Sequence, residues 1–483
     1  MNTEYWLEQV YAYIDHQFDP EHIERIIDLV RQPSVAGTGE GILACAEKVM
    51  RLLKRIGCRD VHLQHYVKSP IVVGYLDADV ENAPSIVMYG MYDVQPPEPY
   101  DEWIVPPYDG ARMDFENYGE CVVARGITNS KGPLVCFINA VESIRAVHGY
   151  NPVNILFVVE GEEELGSESM IPFVKAHQAE LSKMDGVFLN GARQDEQGRP
   201  AVLLGNKGTL YLDLEVTGGE WGGISKIDMH SMNAAWVSSP AWRMVNALAS
   251  MRNGDRVLIK GFYDDLQPLS AADEKLTKRF AEVFDEKMWL EERLYATRFL
   301  DNAHGEDAVR KYMWTPTLNL AGIWGGYTGP ATKTVMPYKV NAKIDIRLVP
   351  PLTAEMMLKK VKDHLHNHGY DDVKITVRQR TPWSKSDPES LASRAALKAL
   401  DNSGIDKGYV WPMFPGTGPA YLFTQTCGIP FVSYGLGQGG RIHAPNEYHT
   451  VRGLRDNEKS CAAYLYYLSE ISQQQEKGEQ EDL

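Results

Sequence analysis

Apolar residues recur at helical spacing in three early segments, Tyr5–Ile14, Pro20–Val30 and Ile42–Ile56. Beyond them, short apolar runs read as strands: IVVGYLDA (71–78), SIVMYG (85–90), VNILFVV (153–159) and DGVFLN (185–190). Between these runs, KGPLVCFINAVESIRAV (131–147) and SESMIPFVKAH (167–177) read as helices. Such β–α alternation predicts an α/β domain with a doubly wound, mostly parallel sheet. Near Thr209 the pattern changes. TLYLDLEVTG (209–218) alternates as a half-exposed strand does, and PAWRMVNALASM (240–251) follows as a helix. A long charged helical stretch is expected over Asp273–Leu294. Strands TPTLNLAGI (315–323) and KVNAKIDIRLV (339–349), helix Ala354–His366 and strand VKITVRQR (373–380) complete an α+β pattern. After Trp383 the first pattern returns, ending in a helix over Arg452–Ser472. The expected architecture is therefore an α/β domain of residues 1–208 and 384–483, interrupted by an inserted α+β domain of residues 209–383.

Charge and composition narrow the partners. The 483 residues carry 49 Lys and Arg against 65 Asp and Glu, a net charge of −16. No basic stripe is available to neutralise phosphates, so nucleic acid is excluded as an expected partner. The acidic balance also disfavours anionic membrane surfaces, and no apolar run has the length of a membrane span. The six cysteines are scattered without a CxxC pair. Reduced thiols and a cytoplasmic location are expected, since the N-terminal segment shows no secretory pattern.

Four polar clusters follow predicted strands of the α/β domain: Asp93 in GMYDVQP; ARGITNSKGP (124–133); EGEEELGS (160–167); and GRIHAPNEYH (440–449). A doubly wound sheet gathers such strand ends on one side. Acids and a histidine gathered there suit metal binding or proton transfer. Each cluster alone has a structural alternative. GEEE is a reasonable solvated helix start, and a lone His443 a hydrogen-bonded structural histidine.

Taken in order, the clusters resemble the M20 family of metallopeptidases and amidohydrolases, in its carnosinase-like dipeptidase branch. The inserted segment adds DMHS, PTLNLAGIWGGYTG, KTVMP and DIRLVP, and the end adds IHAPNE. The resemblance implies a hydrolase with two zinc ions sharing a bridging Asp and a bridging water, in a catalytic α/β domain with a lid and dimerisation insertion. It implies Glu163 as the general base, Glu164 and His443 as metal ligands, and Asp93 as the group orienting a ligand histidine. His230 matches an oxyanion-stabilising histidine, often supplied across a homodimer. Arg347 and Thr417 match positions holding a substrate carboxylate, and Asn319 is expected to line the substrate site with them.

The same alignment of motifs carries departures. Met91 stands where the first ligand histidine is expected, Asn129 at the bridging aspartate, and Gly191 at a further aspartate. Neutral Met, Asn and Gly cannot bridge two dications. In GQGGRIH an acidic pair is missing and Arg441 is present, which relieves repulsion among carboxylates that have lost their cations. One zinc or other divalent metal held by Glu164 and His443 is thus expected, or none. Three functional readings stay open: an amide or related C–N hydrolase of a small carboxylate-bearing substrate with a rebuilt site, in which Arg441 contributes to binding; a metal-free elimination, deamination or acyl transfer in the same pocket; or a non-catalytic ligand-binding relative. Tyr92 and Tyr434 are further candidates for catalytic work. The histidine pair of HLHNH (364–368) reads as a helix terminus, and Trp103 as part of a packed loop.

Overall fold

The computed structural model describes residues 3–191, 194–195, 197–405 and 408–481. Two compact units make up the chain. One comprises Met1–Gly205, Lys385–Pro412 and Pro419–Leu483; the other comprises Asn206–Ser384 and Met413–Gly418.

The first unit is built on an eight-stranded sheet. Its centre runs Asn154–Glu160, Ser85–Met91, Gly186–Asn190, Phe431–Tyr434, all pairing in parallel. Outside this centre, Ile71–Leu76 and Arg59–Gln64 add antiparallel on one side. Ala201–Leu203 adds antiparallel on the other, with Tyr409–Trp411 parallel beyond it. The sheet is thus mixed. The Asp93 and 160–167 clusters leave its parallel centre, whereas the 124–133 and 440–449 clusters lie on a separate antiparallel sheet of Gly439–Gly440, Tyr448–Thr450, Glu120–Val123 and Ala111–Asp114. Side chains alternate between the two faces. Val87, Tyr89 and Met91 join Phe173, Phe423 and Phe431 in one apolar cluster. On other strands, Phe157 and Phe188 meet Phe137 of the helix Lys131–His148, and Phe188 stacks on Tyr464 of Val451–Glu481 at 4.0 Å between ring centroids.

In the second unit, a four-stranded antiparallel sheet runs Thr317–Trp324, Lys339–Leu348, Gly208–Thr217, Lys374–Thr381. Leu210, Leu212, Leu214 and Val216 are buried at every second position. With Ala342, Ile344 and Ile346 they form one core with Met244 and Ala247 of the helix Pro240–Met251, and with Met357 and Val361 of Ala354–Asn367. The alternation read from the sequence is therefore the burial pattern of the sheet. One expectation fails. Asp273–Leu294 is not a single helix: Ala271–Val283 stops at Phe284, which adopts extended backbone. Asp285 then caps a new short turn by accepting from the Met288 N–H at 3.0 Å. An Asp bonding its own downstream backbone competes with helix continuation, which explains the break. Among the described residues, no helix is long and apolar enough to cross a membrane.

Candidate active site

Parallel register sets Met91 beside Glu160, so the loops leaving these two strands start side by side. The Tyr92 N–H continues the pairing to the Glu160 carbonyl at 2.9 Å. Gly161 makes the close approach possible, since a Cβ there would lie 2.3 Å from the Tyr92 ring. Asp93 follows and is fully buried. Its Oδ1 accepts from the Glu163 N–H at 3.2 Å, and its Oδ2 from the Glu164 N–H at 3.0 Å. Both donors open the short 3₁₀ turn Glu163–Leu165, whose leading N–H groups have no partner within the turn. Burial pushes the Asp93 carboxyl up to about 7, the Glu164 charge adds to this, and the two backbone N–H groups oppose it. Asp93 thus grips the turn that carries Glu163 and Glu164.

Glu164 lies at the centre of a second set of contacts. Its Oε1 accepts from Asn129 Nδ2 at 2.6 Å and lies 3.0 Å from His443 Nε2. Its Oε2 accepts from Gln95 Nε2 at 2.9 Å. The Glu164 side chain is only 5% exposed, whereas that of His443 is 50% exposed. A buried carboxylate therefore pairs with one imidazole nitrogen of a half-exposed ring. Glu163 is half-buried on the same turn.

Glu447 holds the loop that presents Asn129. It is buried and accepts from the N–H groups of Gly126, Thr128 and Asn129 at 2.9–3.0 Å, and from Arg125 Nη1 at 3.0 Å. Desolvation pushes its carboxyl up, while these donors act against that shift. Glu162 does similar work nearby, accepting from the Ser69 N–H at 2.8 Å and from the Ser169 N–H.

Met91 is 6% exposed and belongs to the apolar cluster with Tyr89 and Phe173. Its side chain is a core element. Gly191 offers only backbone, its N–H donating to the Tyr434 carbonyl at 3.2 Å. Asn190 before it is buried and donates to the Pro133 carbonyl and Asn457. Arg441 is paired with Glu116 and lies over the Phe115 ring at 5.2 Å, so its charge is already balanced by a neighbouring acid. Tyr92 and Tyr434 are fully buried, and the Tyr92 hydroxyl donates to the Pro70 carbonyl at 2.6 Å. Neither hydroxyl is presented to a ligand. Trp103 donates to the Pro97 carbonyl and stacks under Arg125, as a packed loop residue does.

The second unit holds the other candidates. Arg347 Nη1 donates to Thr417 Oγ1 at 2.8 Å and to Thr209 Oγ1 at 3.0 Å, and the two hydroxyls are 2.7 Å apart. Arg347 and Thr417, separated by 70 residues, are thus brought together. His230 is exposed; its Nδ1 accepts from the Met232 N–H at 3.1 Å and its Nε2 lies 3.0 Å from Thr334 Oγ1. Asn319 donates to Asp345 across the sheet at 2.8 Å. The HLHNH pair stacks ring on ring, with His364 on Ser250 and His368 on a backbone carbonyl, as expected of a helix end.

Sequence reasoning missed Gln95, Glu162 and Glu447 as organisers of the site. Gln95 stood in GMYDVQP and Glu447 in GRIHAPNEYH, but a buried acid aimed at backbone N–H groups leaves no spacing signature.

Residues 87–470 match the profile of peptidase family M20/M25/M40, in agreement with the motif resemblance. The chain is similar to the Beta-Ala-His dipeptidase of Mus musculus, 29% identical over 343 residues, 68% of this chain and 66% of that protein. It is likewise similar to the Cys-Gly metallodipeptidase of Candida albicans, 26% identical over 93% of this chain and 95% of that one. Among solved structures, an M20 family metallo-carboxypeptidase from Sulfolobus solfataricus superposes with a TM-score of 0.79 at 28% identity, covering 93% of this chain and 99% of that one. The chain spans just under two thirds of the mouse protein's length.

Glu447→Ala strips Arg125, itself 1% exposed, of its acid and orphans three N–H groups. A loss of about 3–5 kcal/mol is expected in urea unfolding. Glu447→Gln retains part of the acceptor set and is expected to lose less.

Proposed function

Since the chain belongs to peptidase family M20/M25/M40, we propose that it hydrolyses an amide bond in a small carboxylate-bearing substrate, of the dipeptide or acyl amino acid type, without a dinuclear metal centre. The observation that carries this reading is the occupancy of Glu164. An acid at a metal-ligand position has its oxygens taken by the Asn129 amide, the Gln95 amide and His443. With Met91 in the core and Gly191 lacking a side chain, the donor set does not fit two bridged dications. Among the described residues, no group of three or more His, Cys, Asp or Glu is arranged to hold a metal ion.

In this reading Glu163, His230, Arg347 and Thr417 act on the substrate. Glu163 takes a proton from water as its oxygen attacks the scissile carbonyl carbon, then passes that proton to the departing nitrogen as the C–N bond breaks. Arg347 and Thr417 hold the substrate carboxylate, and His230 donates to the oxyanion. The Glu164–His443 pair sets a buried carboxylate 3.0 Å from a half-exposed imidazole, a further proton carrier. Arg441, being paired with Glu116, is assigned no substrate contact.

A homodimer through the second unit completes the proposal. Thr317–Trp324 is a sheet edge with Leu320, Ile323 and Trp324 exposed, and Trp236 and Trp242 are exposed in the same unit, at 81% and 69%. Exposed apolar groups in such number suit a protein interface. The six cysteines are free thiols, five of them buried, consistent with a cytoplasmic protein and a reducing environment.

Glu163→Gln is expected to lower kcat at least ~100-fold on a panel of dipeptides and acyl amino acids, with an unchanged circular dichroism spectrum. Equal turnover by both proteins would remove Glu163 from the chemistry. Elemental analysis of the purified protein should find far less than two zinc ions per chain, whereas the Met91→His, Asn129→Asp, Gly191→Asp variant should gain bound zinc. Trp324→Glu should shift the sedimentation coefficient from dimer to monomer; a wild-type chain already monomeric would refute the interface.

A further inference from the structure

Arg347 also lines a cavity of about 680 Å³ that lies wholly within the second unit. Its volume is that of a small-molecule pocket. The wall is largely aromatic and aliphatic, with Phe284, Trp289, Leu294, Phe299, Tyr312 and Leu318 contributing. Three of these residues, Phe284, Trp289 and Leu294, come from the segment that broke the expected long helix, where Phe284 adopts extended backbone and a new turn starts after Asp285.

The charged lining is not neutral. Five cationic side chains face two acidic ones. Arg347 spends Nη1 on Thr209 and Thr417 and its Nε lies 3.9 Å from Asp345 Oδ2, while its Nη2 makes no hydrogen bond among the described residues. Lys207, 2% exposed, donates to the Thr315 carbonyl at 2.7 Å, also at the cavity wall. Burial, with Arg347 beside it, pushes this amine down to about 7. A desolvated amine next to a guanidinium with an open donor is a place where an incoming carboxylate relieves electrostatic cost.

We propose that this cavity receives the large apolar side chain of the substrate's carboxylate-bearing residue, with the carboxylate on Arg347. The inference rests on the reading of Arg347 as carboxylate anchor and adds what the anchor selects: residues of leucine, phenylalanine or tryptophan size over glycine or alanine. Apolar area removed from water supplies the preference.

Isothermal titration calorimetry on the full chain with acetylglycine, acetylleucine, acetylphenylalanine and acetyltryptophan tests it. Kd should fall along this series, by about tenfold or more from first to last. Ala308→Trp, which fills the cavity from the helix Gly305–Trp314, should flatten the series while leaving acetylglycine binding unchanged. Leu300→Gln, at a half-exposed position of the wall, should weaken only the larger ligands and guards against misfolding of the first variant. Equal Kd values across the series, unaffected by either variant, would overturn the cavity assignment and leave the anchor intact. Failure of every acid to bind, or unchanged binding in Arg347→Met, would overturn the anchor itself and the cavity assignment with it.

Discussion

The site in the first unit depends on one buried carboxylate holding two backbone N–H groups. Asp93 stands at the end of a parallel strand and satisfies the exposed donors of the turn that carries Glu163 and Glu164. Such a turn has no internal partner for those groups, so without Asp93 they would be buried and unpaired. The hydrogen bonds also oppose the desolvation that pushes the acid up to about 7. Two neighbouring buried acids follow the same logic: Glu447 fixes the loop of Asn129, and Glu162 fixes the segment around Ser69 and Ser169. The loops at the strand ends are therefore held by acid-to-backbone contacts.

One carboxylate oxygen gathers both neighbours: Glu164 Oε1 accepts from Asn129 Nδ2 at 2.6 Å and lies 3.0 Å from His443 Nε2. The substitution at Met91 has a different physical meaning. Its side chain lies in the apolar cluster of the sheet, so this position serves packing. A restored imidazole there would have to displace a core side chain, at the cost that overpacking or an unsatisfied ring nitrogen carries.

Strand order could not be read from the sequence, but the strands themselves could. Alternation in TLYLDLEVTG and KVNAKIDIRLV predicted the half-buried sheet, because period-two burial writes itself into residue type. The pairing of Ile71–Leu76 and Ala201–Leu203 as antiparallel neighbours left no such mark, since both faces of those strands are buried. The motif residues were legible as a set, and Glu163, Glu164, Asn129, Asp93 and His443 do converge. The ion pair of Arg441 with Glu116, 325 residues away, was not legible. Charge in a sequence does not reveal which partner neutralises it.

The broken helix after Val283 has the same lesson in reverse. Periodicity and charge both argued for continuation through Leu294, and a single capping aspartate overrode them. Local hydrogen bonding decided the backbone, and the backbone decided where Phe284 and Trp289 point. The Asp285 contact thus helps place part of the cavity wall beside Arg347. The turn in the second unit and the loops of the first use the same device, a carboxylate that accepts from main-chain N–H at the start of a turn.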